Sequence, residues 1–279
     1  MGYIDKAIEA FSKALQVSPQ QFWSNVGLGT SYLMKGEFEK AETQFKKLLD
    51  QGENWQAIGE EWLVMLNLYQ GKFDEAIDHI EKGILINQRI GNKSGEAWMH
   101  IMLAEILKKK DDQNLPLKAL KNAVQVWPSS STKMKLGGEY ARLNKFNEAL
   151  ELLDQLEVLK TEEQTQNNLA NYYRLRGEID FYKQDYTNAT HNLETSNSLY
   201  DDFETRVLLA KIYNRSGQYE KAKKEYEYIL EHQYATLFDA LPTMWPLAHY
   251  WLAKIDELDG NRDDAIEYYQ KFLKLWKDA

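Results

Sequence analysis

An alanine returns along this chain at nearly constant intervals, each time in the same company. Ala7 is followed four residues later by Phe11, Ala41 by Phe45, and Ala76 by Ile80. Ala149 precedes Leu153, Ala189 precedes Leu193, Ala222 precedes Tyr226, and Ala265 precedes Tyr269. One slot is degenerate. Matching residues 123–128 to 14–19 places Pro116 in it, which fits if a helix begins at or near that proline, where a missing N–H costs little. Successive slots are 34, 35, 40, 33, 40, 33 and 43 residues apart. Residues four apart share a helix face, and a period of this length is the mark of stacked supersecondary units.

Residues 206–229 show the full unit. A first helix carries Leu209, Ala210 and Tyr213, a turn falls at 216–218, and a second helix carries Tyr219, Ala222, Tyr226 and Ile229. Leu28, Gly29 and Tyr32 repeat the first-helix pattern, as do Leu136, Gly137 and Tyr140. Leu103, Ala104 and Leu107 form a looser copy, with Leu252 and Ala253 another. The small residue lets the paired helix approach, and the large ones fill the space beside it. Gly36, Gly71, Asn144, Gly217 and Gly260 fall where a helix ends in a left-handed residue. Only 5 prolines and 15 glycines interrupt the chain, which favours helix throughout.

This pattern resembles the tetratricopeptide repeat family, which reads Trp-x2-Leu-Gly-x2-Tyr, then Ala-x3-Phe, then Pro. The leading Trp is replaced by Asn25, Lys133 and Arg206, with Tyr173 the nearest substitute, and closing prolines survive at Pro19 and Pro128. The resemblance implies an all-α, right-handed superhelical solenoid of about seven and a half helix-turn-helix repeats. The expected organisation is a single array over 1–279. A half repeat spans 1–19, and full repeats span about 22–54, 57–86, 96–128, 131–159, 167–200, 203–231 and 246–277. Extra residues enter near 87–95, 160–166 and 232–246. The last extension is long and apolar, and reads as a packed loop or short helix. The chain opens inside a second helix and closes directly after another, so residues 1–279 are expected to be cut from something longer.

The sequence offers no catalytic constellation, and the expectation is a protein that is not an enzyme. His79, His100, His191, His232 and His249 never take the helical spacing of a metal pair. Gly137-Gly138 lies in a helix and is not a phosphate loop. Cysteine is absent, so no disulfide or Cys-based zinc site exists. Neither a cofactor nor a metal is expected. The net charge of −9 disfavours nucleic acid. The run 108–110 is basic but is followed by two aspartates, and reads as lysines near a helix C-terminus. No apolar run approaches the ~20 residues of a membrane span, and the N-terminus has no signal-peptide character. The expected location is cytoplasmic.

The tryptophans carry the functional expectation. Trp23, Trp62, Trp98 and Trp251 fall roughly opposite the core-facing residues of their first helices. The resemblance implies that this face lines a concave groove, with Met34, Tyr69, Met102 and Tyr182 on or near it. Trp is enriched in binding hot spots. In the same family, arrays that hold acidic chaperone tails use Lys and Asn or Arg on this side. The corresponding slots here hold Trp23 and Gly27, Ile58 and Trp62, and Asn171 and Leu175, so that clamp is not expected. The leading expectation is an interaction module binding a peptide or helix of a protein partner in an apolar, aromatic groove. The later repeats also resemble C-terminal arrays of bacterial multidomain regulators, which implies a sensing or regulatory arm. The alternatives are a receptor for a small apolar ligand and a scaffold that self-associates through exposed solenoid ends.

Overall fold

The computed structural model describes residues 2–108, 114–163, 165–239 and 242–276. Sixteen helices occur among them and run as antiparallel pairs after a lone first helix, α1 (Tyr3–Val17). The pairs are α2 (Phe22–Met34) with α3 (Phe38–Lys46), α4 (Glu53–Tyr69) with α5 (Phe73–Ile90), and α6 (Lys93–Leu107) with α7 (Asn114–Val126). Next come α8 (Ser130–Arg142) with α9 (Phe146–Glu163), α10 (Gln166–Tyr182) with α11 (Tyr186–Leu199), and α12 (Phe203–Arg215) with α13 (Tyr219–Glu231). A short helix, α14 (Gln233–Asp239), precedes the last pair, α15 (Met244–Asp259) and α16 (Arg262–Leu275).

The recurrent residues are the two halves of one contact. Ala41, Ala76, Ala149, Ala189 and Ala222 are all buried. The large residue four positions on reaches the small residue of the first helix. A Cβ added to Gly29 would run into the Phe45 ring, and one on Gly177 would lie 2.7 Å from Leu193 Cγ. Glycine there lets the helices close to the distance at which those side chains pack fully. Pro116 stands in the first turn of α7 and is buried, as its slot requires.

The tight turns within pairs end on left-handed residues. Gly36 has φ +77° and Asn144 has φ 58°, which lets the last turn of α2 and of α8 close onto its own carbonyls. Gln184 adopts φ 65° after α10, a position the sequence did not mark. The extensions take two forms. Those near 87–95 and 160–166 lengthen α5 and α9 rather than making loops. The extension at 232–246 contains α14, whose Thr236 and Leu237 are buried, and Trp245 Nε1–H donates to the Leu230 carbonyl at 3.2 Å. The lysine and aspartate run at 109–112 lies outside the described residues.

Contacts gather the chain into two compact units, Met1–Met99 with Trp276–Ala279, and His100–Leu275, the first boundary falling inside α6. The core of the first unit includes Leu33, Phe45, Leu48, Leu63, Leu66, Ile80 and Met99. Trp276 joins it, donating from Nε1 to the Tyr69 carbonyl at 2.9 Å and meeting Phe73 edge-on. The second unit has a core that includes Leu193, Leu209, Ala222, Tyr226, Ile229 and Leu252.

Candidate functional site

In the second unit the first helices do not close completely. Between them lies a cleft of about 210 Å³, lined from α6, α8, α10 and α12, with Met244 of α15 at one edge. Charge dominates its wall: Lys108, Lys135, Arg142, Arg174 and Lys211 face Glu105, Glu139, Glu178 and Glu204. Val207, Leu208 and Met244 form an apolar side.

Arg174 is the hub. It is buried, and its Nε donates to Glu178 at 3.0 Å. Nη1 donates to Asp202 at 2.6 Å, and Nη2 donates to Glu204. Glu204 also receives Lys135. A buried guanidinium is stable only when its donors are met, and here the fork is satisfied from α10, the α11–α12 turn and α12. Burial opposes charge on Glu204, and Lys135 and Arg174 outweigh it, holding its carboxyl well below the usual carboxylate range. Burial likewise opposes the charge on Arg174, and Asp202, Glu204 and Glu178 raise it well above its ordinary value. Asp202 has a second duty, capping α12 by accepting from the Thr205 backbone N–H at 2.9 Å.

Two further ion pairs line the same cleft. Arg142 grips the buried Glu139 with two parallel bonds of 2.9 and 2.7 Å, and Lys108 pairs with Glu105. Gly138 has a specific reason to be small. A Cβ there would run into Glu178 Oε2, so the glycine seats the carboxylate that Arg174 holds. Tyr182 lines the same cleft, and burial, then Glu178, pushes its hydroxyl up to about 12, so it stands as a neutral donor. Among the described residues, Lys211 makes no ion pair or hydrogen bond.

Of the eight residues expected to form an aromatic groove, Tyr182 lines this cleft. Trp62, Tyr69 and Met102 are buried. Trp62 stacks on Phe45 at 5.4 Å, so it fills the contact between α3 and α4. Met34, Trp98 and Trp251 are half-buried, Trp251 stacking on Tyr226 at 6.5 Å. Trp23 is 69% exposed and meets Phe22 edge-on. These residues therefore do not line one groove together: the flank of a first helix opposite its own partner packs on the second helix of the preceding repeat, as Trp62 does on Phe45 and Trp251 on Tyr226. The charged residues escaped the sequence reading, since singly each looks like a solvated helix position. The available signal was their register: Lys135, Glu139 and Arg142 recur at helical spacing on α8, as do Arg174 and Glu178 on α10.

No group of three His, Cys, Asp or Glu side chains among the described residues is placed to hold a metal ion, and no helix there is long and apolar enough to cross a membrane. The fold and its small-residue contacts define an array of paired helices built from one repeated unit. One tetratricopeptide repeat model matches residues 1–59 and another matches residues 207–279. The chain is a tetratricopeptide repeat protein. No curated protein matches its sequence. Among solved structures it is similar to the anaphase-promoting complex hetero-tetramer Cut9–Hcn1, at 16% identity and a TM-score of 0.51, over 99% of this chain and 51% of that one. It is also similar to a signal transduction ATPase with numerous domains and a tetratricopeptide repeat sensor, PH0952 from Pyrococcus horikoshii. That match has 13% identity and a TM-score of 0.53, over 95% of this chain and 44% of that one. The chain spans about half the length of each, and these likenesses concern the fold.

Proposed function

We propose that the chain is a protein-interaction module and that the cleft of the second unit receives an extended segment of its partner. The observation that carries this reading is the cleft's construction. A hydrogen-bonded network of Arg174, Lys135, Glu178 and Glu204 forms part of its wall, while Lys211 and the Tyr182 hydroxyl in the same wall have no bonded partner among the described residues, and Val207 and Leu208 add apolar surface. A rigid wall with unengaged donors in it loses little entropy when a ligand docks. The cleft is smaller than the ~300–1,000 Å³ of ordinary small-molecule pockets and is only partly enclosed, which favours a chain segment over an enclosed metabolite.

Trp251, a ring of the same unit that is not fully buried, remains a candidate for a flanking contact, while Trp23 and Trp98 are candidates for contacts of the first unit alone. The finer reading, a sensing or regulatory arm of a larger bacterial regulator, is supported by the resemblance of the later repeats to such arrays. A small apolar ligand has its own candidate place, a hollow of about 350 Å³ between Trp127, Pro128 and Leu159. The test is selection of random displayed peptides on the full chain, with a Leu208→Arg variant that fills the cleft as the counter-target. Peptides that bind the parent and not a folded L208R support the reading. Peptides that bind both equally, or none enriched at all, contradict it.

A further inference from the structure

The cleft's charges form pairs within its own wall, and this isolates one of them. Glu105 is matched by Lys108, Glu139 by Arg142, and Glu178 and Glu204 by Arg174 and Lys135. Asp202 backs Arg174 from outside the cleft. Lys211, on α12, lines the same wall and has no bonded partner among the described residues. The Tyr182 hydroxyl, also in the wall, has none either. An ammonium that is part-buried and unbonded has lost water without regaining an acceptor.

We infer that Lys211 and Tyr182 form a seat for a single carboxylate of the partner segment, with Val207, Leu208 and Met244 taking an apolar side chain next to it. The inference rests on the proposed function and names the chemistry of the same site. A monoanion is favoured over a phosphate dianion because, among the described residues, Lys211 is the one cation of the wall not already matched by a carboxylate, so the seat balances a single charge. A neutral carbonyl would satisfy a hydrogen bond but would not make the stronger charge-assisted one. Burial lowers Lys211 from the ordinary lysine range, Glu105 opposing and Lys108 adding to the shift. A bound carboxylate would reverse that direction.

The seat is built differently from a clamp of several unopposed cations. The rest of its wall is already neutralised, and Gly138 and Arg174 hold Glu178 where it cannot swing across to Lys211 without breaking the Arg174 bond. The site is thereby kept open for an external acceptor.

The test titrates the full chain with three probes while recording amide and lysine side-chain resonances. The probes are N-acetyl-leucinate, its uncharged amide, and N-acetyl-O-phosphoserine. The expected result is saturable shifts at residues 207–211 and at the Lys211 side chain with N-acetyl-leucinate, at least about tenfold weaker with the amide and the phosphorylated probe. Lys211→Gln should abolish that preference while leaving the far helices unshifted, and Lys271→Gln, at an exposed lysine, should leave it intact. Equal response to acid and amide, or an unchanged preference in K211Q, overturns the seat. A stronger response to the phosphorylated probe overturns the single-carboxylate assignment. These outcomes are independent of the peptide selection, so cleft-binding peptides that lack any acidic dependence would contradict the seat and leave the interaction reading standing.

Discussion

The guanidinium of Arg174 and the carboxylate of Glu204, 30 residues apart in sequence, meet in an ion pair that joins α10 to α12. Both are largely excluded from solvent, with side-chain exposures of 9% and 12%. Removing one partner of such a pair leaves the other buried and uncompensated. Arg174→Met strands Glu178 and Asp202 and leaves Glu204 with Lys135 alone, and should cost about 3–5 kcal/mol by chemical denaturation. Arg142→Met leaves one buried carboxylate, Glu139, with Lys108 still 3.8 Å away, and should cost less. Equal losses would show that the number of carboxylates left behind is not what makes the Arg174 network expensive to break.

Glu204 fixes the acid side of the stability profile. Its folded carboxyl lies below the ordinary range, so its contribution is complete above the unfolded carboxylate value and is lost as pH falls through the folded one. Glu204→Gln should lower stability at neutral pH and flatten the acid limb below about pH 4 in denaturation curves.

His249 acts in a different window. It is buried against Trp245, its Nδ1 has no hydrogen-bond partner, and burial, then Lys271, pushes it down to about 4. The unfolded chain takes up a proton near the ordinary histidine value and the folded chain does not. Stability is therefore full above about pH 6.5 and falls by about 2–3 kcal/mol on the way to pH 4. His249→Phe should remove most of this slope in thermal melts. A slope that survives the substitution would assign it to other groups.

The recurring contact makes its own forecast. Ala222 is fully buried in the core of the second unit, so Ala222→Leu should cost about 1–3 kcal/mol through overpacking. Gly138→Ala should cost a similar amount for a separate reason, because its Cβ displaces Glu178. In a Glu178→Ala background the Gly138→Ala loss should shrink, and a double-mutant cycle would read the difference.

The helix pairs were legible because their signal is redundant. Ala41 with Phe45 and Ala189 with Leu193 repeat one steric solution, and no single copy has to be read correctly. The length of α5 and α9 was less legible, since residues 87–90 and 160–163 continue an existing helix and only the cap at Gly91 marks the first end. The site was hidden for a physical reason. Trp62 and Tyr69 look like surface rings when one helix is drawn alone, yet Phe45 and Phe38 of the preceding repeat pack against them. Arg174 and Glu204 look like solvated charges until α10 and α12 are stacked. Contacts between repeats, which decide both cases, have no fixed spacing in sequence.

The lone first helix should be the least protected. No side chain of α1 is fully buried, and Tyr3 and Val17 are almost wholly exposed. Its amides should exchange well before those of α4, where Leu63, Val64 and Leu66 are buried. Comparable protection of α1 and α4 would contradict this.

Hydrogen exchange of the full chain, with and without a peptide selected on it, tests most directly whether the cleft is where a partner docks. Protection should concentrate in residues 130–142, 166–182 and 203–215, three of the four first helices that line the cleft, and K211Q should weaken it. Protection confined to the second helices at 146–163, 186–199 and 219–231, with the first helices unchanged, would contradict a binding surface in the cleft.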